Sequence, residues 1–113
     1  MFWSTDKNYI KDNVKLVGKK RNAISKRLEV NKLKKIGSIY GATLNDVVMA
    51  LVGVSTKEYL TSHQDSKTNS LNTLVPYSLR NLPNTVEEHR LENDFSVLCF
   101  DLPLCDTFDE TVK

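Results

Sequence analysis

A chain of 113 residues, 40% apolar and 27% charged, suits one small hydrophobic core and is too short for two independent domains. Four glycines and three prolines argue against a disordered or repeat chain, and no run approaches the roughly 18 apolar residues of a spanning helix. The net charge of +2 hides an asymmetry: from Lys11 to Lys35 ten Lys or Arg face only Asp12 and Glu29, a net of +8, while from Asn81 onward eight Asp or Glu face Arg90 and Lys113, a net of −6.

The first twenty residues are polar and lysine-rich with weak patterning, which predicts a loose arm or connector ahead of a folded region over 21–113. The opening MFWSTDKNYIKDNVK holds no sustained apolar stretch, so it fails as a secretory signal, and a cytoplasmic location is expected. Around Asn22 to Leu28 the sequence NAISKRL reads as a strand. A helix follows from about Asn31 to Tyr40, with Val30, Leu33, Ile36 and Tyr40 near helical spacing and Gly41 placed to end it. On this reading the surrounding lysines are the wet face of an amphipathic helix, although such a block can also meet phosphate.

A second helix opens at Thr43 and runs to about residue 62. Thr43 followed three residues later by Asp46 has the form of a capping box, in which each side chain reaches a backbone N–H of the other. Asp46 also meets the positive end of the helix dipole. Neither argument accounts for Asn45. The run Val47–Val54 is apolar on every side, which predicts a helix buried between layers. After the polar loop TSHQDSKTNS, LNTLVPYSLR reads as a strand with Pro76 at its end or edge, and FSVLCFDLP, residues 95 to 103, as a second strand. DTFDETVK begins a further helix capped by Asp106 or Thr107; ending after two turns, it reads as the edge of a truncated chain.

Among the reactive residues, Cys99 and Cys105 are too far apart for a CxxC pair and no histidine cluster accompanies them, which predicts free or buried thiols and no metal site. His63 and His89 fall in polar loops and read as solvated surface residues. Ser78 has no paired histidine to activate it as a nucleophile.

Taken in order, GATLNDVVMALV, YL, VPYSLR and ENDFSVLCFDLPL resemble the carboxy-terminal half of the wax ester synthase/acyl-CoA:diacylglycerol acyltransferase family, over about Arg21 to Lys113. The resemblance implies an α/β fold of the chloramphenicol acetyltransferase type, in which two halves enclose a tunnel; the present chain would supply part of one half, a mixed sheet packed on helices. It implies acyl transfer from acyl-CoA to a fatty alcohol or diacylglycerol, with acyl-CoA as substrate, no bound cofactor, and a peripheral contact with the endoplasmic reticulum membrane. The family's general base is a histidine of an H-H-x-x-x-D-G motif, which this chain lacks, so the amino-terminal half of the same enzyme would have to supply it.

Three positions carry over. Asn45 matches the asparagine of the family's Asn-Asp motif and is expected beside the tunnel; otherwise it is an exposed helical residue. Arg80, closing VPYSLR, would bridge the two halves or meet a CoA phosphate; otherwise it makes a surface salt bridge. Asn93 matches an asparagine that usually follows glycine, whereas Glu92 precedes it here, so the tight turn expected there loses its usual residue. Thr43 and Asp46 match the motif but are already explained by capping. Two other classes compete with the enzyme reading. One is a non-catalytic interaction module that retains the half-fold. The other is a basic protein bound to nucleic acid or anionic membrane; for nucleic acid, no recognised motif and no aromatic interleaving accompany the basic block.

Overall fold

The computed structural model describes residues 7–12, 15, 17–80, 85–86 and 93–112. Its elements are α1 (Tyr9–Asp12), α2 (Val30–Tyr40), α3 (Leu44–Ser62), β1 (Ser70–Ser78), β2 (Phe95–Pro103) and α4 (Phe108–Thr111). This is a mixed α/β chain with a two-stranded antiparallel sheet. It divides into two compact units: Met1–Leu71 with Leu102–Lys113, and Asn72–Asp101.

In the first unit, α2 ends where Gly41 turns left-handed at φ +65°, so that its N–H and that of Ala42 both reach the Gly37 carbonyl. A Cβ on Gly37 would stand 2.7 Å from the Ala42 carbonyl oxygen, so only glycine lets the chain turn back this closely. The chain then enters α3, whose axis lies at 95° to that of α2. α3 buries Val47, Ala50, Gly53, Lys57 and Leu60, a stripe with steps of three and four residues. With Leu102 and Leu104, the apolar members of this stripe form the core. Gly53 allows Pro103 to pass, since a Cβ there would lie 2.9 Å from the Pro103 carbonyl oxygen.

The buried ammonium of Lys57 uses its three donors on Ser66 O (3.1 Å), Thr68 O (3.0 Å) and Asn69 Oδ1 (2.9 Å). It thereby ties down the loop leading to β1, and burial is tolerable because each N–H is matched. In the same loop the Asp65 carboxylate accepts from the Tyr9 N–H (2.9 Å) and from Thr68. The Tyr9 N–H and then the Thr68 hydroxyl hold this carboxyl below the usual carboxylate range. Tyr9 and Tyr59 both stack on His63, with ring centroids 4.4 and 4.3 Å away. At the other end of α3, the Tyr40 hydroxyl bonds Asp109 and the Tyr40 ring meets Phe108 edge-on, which docks α4.

The two strands pair without slippage: Leu79 N–H donates to Asp94 O at one end and Leu104 N–H to Asn69 O at the other. In this register Pro76 stands opposite Val97 and Pro103 opposite Ser70, at positions whose nitrogens face away from the partner strand, so neither proline costs a ladder bond. In the second unit no described residue is buried, and Leu74, Tyr77, Leu79, Phe95, Val97 and Leu98 are all exposed.

Three expectations are corrected. Residues 22–28 form no strand; they run exposed and unpaired, because NAISKRL has too few apolar positions to be held by a partner. α3 is not buried on every side, since Val48 and Val52 are exposed and Leu51 is half-buried. His63 is not a solvated loop residue but the C-cap of α3, its ring in contact with those of Tyr9 and Tyr59.

Candidate functional site

The capping box at the mouth of α3 forms as its spacing predicts. Asp46 Oδ2 accepts from the Thr43 N–H (2.8 Å) and the Thr43 hydroxyl (2.7 Å), and the Asp46 N–H returns to Thr43 Oγ1 (3.3 Å). The Thr43 hydroxyl first, and then its N–H, hold the Asp46 carboxyl below the usual carboxylate range. Asp46 is thus committed to the cap. Its neighbour is not: Asn45 is exposed, and its carboxamide makes no hydrogen bond among the described residues.

Helical spacing gives Asn45 its significance. It precedes Val48 by three residues and Val52 by seven, and so stands on the same face of α3. That face is the wall of an open groove of about 460 Å³, formed mainly by Val48, Leu51, Val52 and Tyr59 on α3, with Leu28 and Ile10 opposite. Ser25, Ser55 and Thr56 supply its few polar atoms. α3 therefore carries two stripes: one seals the core, and the other lines an apolar trough; Asn45 stands on the same helix face one turn before Val48, outside the residues that line the trough. An amide in that place can donate two hydrogen bonds and accept two, which suits holding an oxygen-bearing group at the end of an apolar ligand.

Arg80 and Asn93 lie in the other unit. Each stands one residue beyond the bonded pair Leu79–Asp94, so the register brings them to the same end of the ribbon. Arg80 folds back on its own strand, its N–H and Nε–H meeting Ser78 Oγ at 3.2 and 3.4 Å, and it makes no ion pair among the described residues. Asn93 is exposed. Ser78 thus receives hydrogen bonds from an arginine, and among the described residues no histidine is paired with its hydroxyl.

Of the histidines, His63 places Nδ1 2.8 Å from the Tyr59 carbonyl oxygen, which fixes that nitrogen as a donor, and His89 lies outside the described residues. Cys99 is exposed and Cys105 half-buried, both as free thiols. Among the described residues, no three His, Cys, Asp or Glu side chains are grouped to hold a metal ion, and no single helix is long and apolar enough to cross a membrane.

Sequence reasoning missed Lys57 and the tyrosine–histidine stack. Lys57 falls on the buried stripe, four residues after Gly53 and three before Leu60, but the sequence does not show which stripe of α3 is buried, so nothing in it marks this lysine as inward. Tyr59 and His63 are four apart, the spacing at which helical side chains meet. No protein-family model, curated protein or solved structure matches this chain.

Proposed function

We propose that the chain is part of an O-acyltransferase that carries a fatty acyl group from acyl-CoA to a fatty alcohol or diacylglycerol, built on half of a chloramphenicol acetyltransferase-like fold. The observation that carries this reading is Asn45, an exposed amide on the helix face of Val48 and Val52, beside an aspartate already spent on the cap. The groove is one wall of the tunnel, and Asn45 holds a substrate oxygen or orders the loop against it. The general base would come from the other half, because this chain lacks the H-H-x-x-x-D-G motif, and Ser78 accepts from Arg80 with no paired histidine to activate it. Exposed apolar residues on both faces of the ribbon also suit a sheet that is continued and covered by further elements.

A positioned base contributes about 10² to 10⁴ in rate, so the 113 residues alone should not turn over acyl-CoA with a fatty alcohol above a heat-killed control. In a longer chain translated from the upstream reading frame, Asn45→Ala should lower the initial rate while the melting temperature stays nearly constant. Asp46→Ala should lower the melting temperature first. Full activity in Asn45→Ala defeats the proposal, and an upstream frame without an H-H-x-x-x-D-G motif favours the non-catalytic module instead.

A further inference from the structure

The cations of residues 19–35 have almost nothing to neutralise them. Glu29 is the only carboxylate in that stretch, and it is paired with Lys32 at 3.0 Å. Lys19, Lys20, Arg21, Lys26, Arg27, Lys34 and Lys35 are exposed and make no ion pair among the described residues. A solvated helix face would account for charges of this kind, but residues 19–29 are neither helix nor strand. Ile24 is 97% exposed, Leu28 63% and, just before the stretch, Val17 66%, while Leu33 on α2 is half-buried.

We propose that residues 17–35 form a docking surface for an anionic lipid bilayer. Lysines and arginines would neutralise headgroup phosphates and carboxylates, and Val17, Ile24 and Leu28 would enter the boundary between headgroups and acyl chains. Charge complementarity selects the partner, because an open run of cations interleaved with apolar side chains matches a surface that is negative outside and apolar beneath. Nucleic acid would meet the charges but leave Ile24 in water, and no aromatic residue lies between Val17 and Lys35 to stack on bases. Ser25 and Leu28 line the α3 groove, so Lys26 and Arg27 stand at its rim and docking brings that rim to the bilayer. The inference does not rest on acyl transfer; it stands on charge and exposure.

The test is flotation of the 113-residue chain with phosphatidylcholine vesicles containing either about 30% or no phosphatidylserine, at 100 mM salt. The chain should bind the anionic vesicles at least about tenfold more tightly. Each cation near an anionic surface is worth about fivefold, so Lys19→Gln, Lys20→Gln and Arg21→Gln together should weaken binding about a hundredfold. Ile24→Ser keeps every charge and should still weaken it about tenfold, through lost insertion. Equal affinity for the two vesicles, or binding to neither, overturns the proposal. So does duplex DNA bound as tightly as anionic vesicles, with Ile24→Ser without effect on either.

Discussion

α3 and the β1–β2 ribbon have similarly apolar sequences and opposite fates. GATLNDVVMALV opens a helix with Val47 and Ala50 buried, whereas LNTLVPY and FSVLCF become strands with Leu74, Val97 and Leu98 exposed. Apolar content alone therefore does not make a core. α3 meets α2, α4 and, at Gly53, Pro103, and can bury a stripe; the outer ribbon is a two-stranded sheet with no buried residue among those described. A two-stranded ribbon of that kind is marginal in water.

The largest expected effect sharpens this contrast. Leu60→Ala should cost about 2 to 5 kcal/mol in denaturant unfolding, while Leu74→Ala should stay within about 0.5 kcal/mol. Comparable losses at both sites would show that the ribbon is covered after all. Next comes Gly53→Ala, whose new methyl meets the Pro103 carbonyl oxygen and should cost about 1 to 3 kcal/mol by thermal melting.

Thr43→Ala should cost about 1 kcal/mol through the lost cap. The same cap gives a pH signature. The folded Asp46 carboxyl titrates below its unfolded value, so its contribution is fully present above the ordinary carboxylate range of about 4 and is lost as pH falls through the lower folded value. Asp65 acts in the same direction. The Asp46→Asn variant should therefore show a weaker acid dependence of melting temperature than the parent.

The smallest effect lies at the alkaline end. The hydrogen bond to Asp109, then burial and the aspartate's charge, raise the Tyr40 hydroxyl above the usual tyrosine range. Its contribution is present below about pH 10 and is lost as pH rises through the raised value. Tyr40→Phe should flatten the alkaline limb of a melting-temperature profile and leave the acid limb unchanged.

Elements governed by local chemistry were legible in the sequence. Gly41 ends α2, Thr43 and Asp46 cap α3, and β2 spans Phe95–Pro103, because glycine backbone freedom, capping geometry and a short run rich in aromatic and branched residues are properties of a few neighbouring residues. What depends on distant parts of the chain was not. Which side of α3 is sealed is decided by where Leu102 and Leu104 return, and no periodicity within an all-apolar run reveals it. NAISKRL looked like a strand, but a strand exists only with a partner. Of the candidate site, Asn45 was visible as the residue capping could not explain. The groove on its face of α3 is visible only once Leu28 and Ile10 are set beside the helix.

Stability resides in the α3 unit, and the outer ribbon, with no buried residue among those described, opens before it. Native-state hydrogen exchange of the 113-residue chain tests this most directly. Amides of Ala50, Gly53 and Leu60 should exchange only with global unfolding, and those of Leu74, Val75, Leu98 and Phe100 should exchange by local opening, at least about tenfold faster. Equal protection in both sets would contradict the account.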